Sequence, residues 1–301
     1  MSWIFGKAKF DAMFLIAPAF VSLLLAMSGV TGESLIYAFI ATALIDSGHV
    51  YTTIWRTWLH AKERRSAKLY YFAVPILIAA IITGWLAFGL PYFWSFVVYA
   101  TLHHHARQFY GISRWYQSLN KRLSIESGRF IYAFALLPII AYHFRPDAID
   151  GYYSQHDLIL FKNETVYDLL NYAWDLLFLS WVVFEVRTWK SGVHEVNRIA
   201  SIAVPALLYA GCFFIGETLP QILFPLLFAH GIAYFGLMSL SVERTRKETF
   251  KSFKMAFAIM LITACAFGTA EYFVEDEFLD FDKPIETIGM AFFIGLYLVP
   301  L

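Results

Sequence analysis

The chain has 301 residues, of which 59% are hydrophobic and 19% aromatic, with only 15% charged and a formal net charge of zero. A soluble domain carries about 25% charged residues, so this composition excludes an ordinary soluble globule, and the balanced charge points to no nucleic-acid partner. Cys212 and Cys265 both lie in apolar runs without CxxC spacing, and read as small hydrophobes rather than as a disulfide or a zinc knuckle.

The apolar runs approach 20 residues each, the length that crosses a bilayer. Lys7 and Lys9 precede the first, Ala12 to Val30, which is long for a signal-peptide core and is taken as a retained span. A second span runs from Ser34 to Leu59 and is closed by the basic loop His60 to Lys68. Span three is Leu69 to Leu90, and span four, Tyr92 to Leu119, carries three consecutive histidines. Span five is Arg129 to Phe144, and a polar loop from Arg145 to Glu164 leads to span six, Thr165 to Trp189. Spans seven and eight are Ile199 to Gly216 and Leu219 to Val242. Span nine is Met255 to Ala270, an acidic loop covers Glu271 to Asp282, and span ten is Ile285 to Leu301.

Lys and Arg gather on the cytoplasmic side of membrane proteins. With the N-terminus inside, all of the 23 basic residues except Arg145, Lys162 and Lys283 fall on that side. The expectation is an all-α, polytopic transmembrane helical bundle of about ten spans. Both termini are cytoplasmic, and residues 1–301 form a single integral membrane domain in a bacterial inner membrane.

Ionisable side chains within such spans are costly and mark functional sites by default. Asp46 and His49 in span two, His103, His104, His105 and Arg107 in span four, Asp175 in span six and His230 in span eight fall at similar depths. A rise of 1.5 Å per residue puts them roughly 15 to 22 Å from the outer ends. Asp46 and His49 share a helix face at i,i+3, as His230 and Tyr234 do at i,i+4. Consecutive helical residues diverge by about 100°, so at most two of the three adjacent histidines can enter one site.

Histidines from separate helices beside a carboxylate suit a transition metal. The expected ligands are His49, His103, His104 and His230, with Asp46 or Asp175 as a further ligand or as the group that orients a ring. Arg107, Gln108 and Tyr234 stand near enough in sequence to handle substrate or oxygen. The remaining histidines, His60, His143, His156 and His194, fall at span ends or in loops and are given solvated or interfacial roles.

The histidine-rich, polytopic pattern resembles the membrane desaturases and hydroxylases. It lacks their H-x-x-x-H and H-x-x-H-H boxes, so the count supports one metal and not a di-iron centre. Membrane-bound bacterial carotenoid-cleaving oxygenases are a closer analogy in length and in scattered histidines. The local likeness is Ala229-His230-Gly231, which claims no kinship. The resulting expectation is an iron-dependent oxidoreductase or oxygenase acting on an apolar small molecule drawn from membrane lipids. The rival readings are a haem-binding electron carrier and a proton-coupled transporter built on the same histidines and aspartates.

Overall fold

The computed structural model describes residues 2–28, 48–57, 68–89, 91–151 and 157–278, with 34, 37, 38, 41, 42, 46, 59, 60 and 65; for 68, 70–72, 75, 86, 87 and 271–278 it gives the backbone alone. Among the described residues the fold is all-helical, with no strand. The helices are α1 (Ala8–Met27), α2 (Lys68–Ala87), α3 (Phe93–Leu119), α4 (Ile125–Tyr142), α5 (Glu164–Lys190), α6 (Val196–Ile215), α7 (Leu219–Thr245) and α8 (Phe253–Phe278). A 3₁₀ turn, Val50–Trp55, follows His49. Two helices contain a π-helical turn, Ala12–Ile16 in α1 and Gly211–Ile215 in α6.

Among the described residues six helices are long and apolar enough to cross a membrane: α1, α4, α5, α6, α7 and the Phe253–Ala270 part of α8. The described residues do not support the expected count of ten. The helix α3 has the length, but its histidines, Arg107, Gln108 and Arg114 lower its hydropathy, and α2 supplies only a short apolar stretch, Ile76–Trp85. Much of span two and all of span ten lie outside the described residues. The acidic stretch expected to be a loop from Glu271 is instead helical as far as Phe278.

Local chemistry explains the helix ends. Asn163 caps α5 by accepting from the Val166 amide at 3.1 Å, and Ser124 caps α4 by accepting from the Ser127 amide at 3.2 Å. Arg145, just past α4, donates to the Gly216 carbonyl at 2.6 Å beyond the end of α6, where a cation offsets orphaned carbonyls.

The chain divides into two compact units, residues 1–39 with 94–230 and residues 40–93 with 231–301. The first unit holds α1, nearly all of α3, α4 to α6 and the first half of α7. Its core centres on Phe134 of α4, with Trp174, Phe178 and Trp181 of α5 within about 6 Å ring to ring. Tyr209, Cys212 and Phe213 of α6 extend that core. Aromatic pairs of this kind add stabilisation beyond their buried area.

Within this unit Arg198 is buried and forms paired bonds to Glu185 at 2.8 and 2.6 Å, with a third to Glu195 at 3.0 Å. Asp11 is likewise buried and accepts from Tyr116 Oη at 2.6 Å and from the Ile4 and Phe5 amides. Neither group reads as buried from sequence, because both flank apolar runs where solvated charges are the usual occupants.

The second unit holds the 3₁₀ turn, α2, the second half of α7 and α8. Its core comprises Phe235, Met238, Val242, Phe250, Ala256, Met260 and Ala264. Trp55 Nε1 donates to Thr263 Oγ1 at 3.1 Å, and Arg246 donates to the Trp55 carbonyl at 2.8 Å. Gly48 lies so close to α8 that a Cβ there would overlap the Ala264 backbone. Cys212 is buried as expected, whereas Cys265 is exposed.

Candidate metal centre

In the first unit the register of α3 is set by its apolar face, Val98, Leu102, Ala106 and Phe109, all buried. His105 falls between Leu102 and Phe109 on that face and is only 3% exposed. Its ring stacks on His230 of α7 with centroids 4.2 Å apart at 23°. His104, half-buried beside it, meets the same His230 ring edge-on at 4.9 Å. Gln108, one turn from His104, donates from Nε2 to the His230 carbonyl at 3.2 Å and so ties α3 to α7 at the histidine itself. Three imidazoles from two helices therefore gather in one unit.

In the second unit Asp46 and His49 lie on one face, as their i,i+3 spacing requires. His49 Nδ1 stands 3.4 Å from Asp46 Oδ1, without the alignment of a hydrogen bond. The His49 ring meets Tyr234 of α7 edge-on at 4.5 Å. Asp46 also lies against α7, since a Cβ on Gly231 would stand 3.7 Å from Asp46 Oδ1. The chain tightens into its 3₁₀ turn directly after His49, and the Thr52 hydroxyl donates back to the His49 carbonyl at 2.6 Å. Such tight stretches inside helices often mark functional positions.

Asp46 and Gln108 each bury one side-chain oxygen, Oδ1 and Oε1, with no hydrogen-bond partner among the described residues. A buried acceptor in that state calls for a proton or a cation. The donor types in both units, imidazole and carboxylate, are those that could hold a metal ion.

The expected site residues thus divide. His49, His104, His230 and Asp46 are buried or half-buried in these clusters, with Gln108 and Tyr234 in contact with them. His103 is exposed and its ring lies over Tyr132 at 6.4 Å, so the inward histidines of the triplet are His104 and His105, not His103 and His104. Arg107 is exposed on the side of α3 that carries His103. Asp175 is exposed on α5 and belongs to neither cluster.

The missed residue, His105, had a sequence signal. It occupies the i+3 position after Leu102 and precedes Phe109 by four, on the most apolar stripe of α3. Of the minor histidines, His143 Nδ1 lies 2.7 Å from the Ile159 carbonyl and His194 packs edge-on against Trp189, while His156 lies outside the described residues. No protein-family profile, curated protein or solved structure matches this chain.

Proposed function

We propose that this chain is an integral membrane protein that binds one transition metal through its buried histidines and aspartate and oxidises a lipid-soluble substrate. The reading draws on the donors in the two clusters, His104, His105 and His230 in the first unit and Asp46 and His49 in the second. One observation carries it: in the first unit the imidazoles of His104, His105 and His230 gather from two helices beside a buried Gln108 oxygen that has no hydrogen-bond partner among the described residues. His104 and His105 pack on His230, Asp46 lies against Gly231, and His49 lies against Tyr234.

Iron is the metal put forward, because a set of two histidines and one carboxylate with open positions suits non-haem Fe(II) and dioxygen. When bound, it would supply the redox chemistry. The protein's own part is to hold the rings and exclude water. Gln108 fixes the backbone of His230, and Asp46 places a carboxylate 3.4 Å from the His49 ring. Ten spans with both termini in the cytoplasm, in a bacterial inner membrane, complete the proposal. The lysine and arginine distribution supports that orientation.

Metal analysis of detergent-purified protein never exposed to chelator tests the reading. About one equivalent of iron is expected, falling below a tenth in His230→Ala, which removes the imidazole on which His104 and His105 pack. Less than a tenth in folded wild-type protein would refute it, and a Soret band would replace it with the haem alternative. A proton-coupled transporter using the same residues is the second reading. It is favoured by the 3₁₀ turn after His49, because broken helices near ionisable groups are a transporter feature.

A further inference from the structure

The outward side of α3 carries a second set of polar groups that the metal site does not use. His103 and Arg107 share a helix face at i,i+4, and both are exposed. Among the described residues no carboxylate pairs with Arg107. An exposed guanidinium with no carboxylate beside it among the described residues is free to take an anion in a forked, charge-assisted contact.

The neighbouring residues shape that position. Tyr110 lies against α4, where Gly128 makes room for its ring; a Cβ on Gly128 would come within 2.7 Å of it. Tyr110 and Tyr132 pack at 5.2 Å, and the His103 ring lies over Tyr132 almost parallel to it. Gly111, one turn past Arg107, has open space where a side chain would stand. Two phenols therefore stand beside the His103 ring, and the helix surface one turn past Arg107 is open.

An apolar strip leads away from it. Phe96 lies on the His103 face of α3, two turns toward its N-terminus, and is exposed. Leu136 and Ile140 continue from Tyr132 along α4 at steps of four and are exposed as well. The two helices run antiparallel here, since Tyr99 meets His143 while Tyr110 meets Tyr132. From Arg107 to Phe96 the strip is about 16 Å long.

We propose that His103 and Arg107 form the head-group site for a long-chain carboxylate, with its tail along Phe96, Leu136 and Ile140. A carboxylate fits better than a bulkier head because one Arg with one imidazole matches its two oxygens and single charge. The site lies on the face of α3 turned away from His105 and His230 and is separate from the proposed metal site. The binding itself stands on α3 and α4 alone.

Calorimetric titration of palmitate into the purified protein in a neutral detergent tests it, with methyl palmitate, acetate and hexadecyl phosphate as comparators. Palmitate is expected to bind at least about tenfold more tightly than the ester, the effect of one charge-assisted hydrogen bond, and acetate is expected not to bind. Arg107→Gln should lose the same tenfold for palmitate and nothing for the ester. Equal binding of acid and ester by the wild-type protein overturns the proposal without reliance on any variant. So does an unchanged Arg107→Gln, tight acetate binding, or a preference for the phosphate. Metal content measured on the same samples separates the two readings. Acid-over-ester discrimination in metal-free protein leaves this site standing and removes the metal reading; loaded protein without discrimination does the reverse.

Discussion

At the scale of single residues, Arg145 shows how one side chain can serve two segments. It holds the Gly216 carbonyl at 2.6 Å and pairs with Asp147 at 2.9 Å. The hydrogen bond from Arg145 holds the Asp147 carboxyl below its ordinary value of 3.8. A depressed carboxylate stabilises the fold at pH values above the unfolded pKa, and that contribution is lost as pH falls through the folded value. Asp147→Asn should therefore lower the unfolding temperature slightly at neutral pH, and the difference from wild type should shrink as pH falls below the ordinary carboxylate value. Thermal unfolding across pH 2.5 to 7 checks this. Asp147 is mostly exposed, so solvent screens the pair and the effect is small.

The histidine triplet shows what the sequence reveals at this scale and what it hides. That only two of His103, His104 and His105 turn inward follows from helix geometry. Which two depends on the register of α3 against its neighbours, and that is set by Leu102, Ala106 and Phe109 rather than by the histidines. The buried states of Asp11 and Arg198 were illegible for a related reason. Their partners, Tyr116 and Glu185, are 105 and 13 residues away in the chain.

At the scale of elements, the long periodic runs were readable from the sequence and the breaks within them were not. Expected spans five to nine appear as α4 to α8, with ends shifted by a few residues. The 3₁₀ turn after His49 and the π turns in α1 and α6 leave no trace in hydropathy, because they change hydrogen bonding and not composition. Gly48 connects one of these breaks to the site. It permits the approach of the Asp46–His49 segment to α8 at Ala264, and a methyl group there has only backbone to displace. Gly48→Ala should cost roughly 1 to 3 kcal/mol, as overpacking does. It should also reduce metal content by moving His49, while Gly111→Ala, which meets open space on an exposed helix face, should leave metal content unchanged and raise stability by up to about 1 kcal/mol. Paired measurements of unfolding temperature and bound metal distinguish the two.

At the scale of the whole molecule, a bound metal would act as a ligand of the folded state alone. At a free concentration a hundredfold above its dissociation constant, such a ligand adds about 2.7 kcal/mol. Chelation should then lower the apparent unfolding temperature by roughly 5 °C. In His230→Ala the same chelator should have no effect.

The two units are interleaved along the chain, and this bears on biogenesis. Residues 1–39 belong with 94–230, and residues 40–93 belong with 231–301, so neither body can close until translation has passed well beyond its first segment. At roughly 5 to 20 residues per second, α1 waits several seconds for its companions, and Asp46 and His49 wait longer still for α7 and α8. Any metal loading would therefore be a late event in the life of the nascent chain, since the donors of the first unit are complete only once His230 has emerged, and the second unit only with residues beyond it.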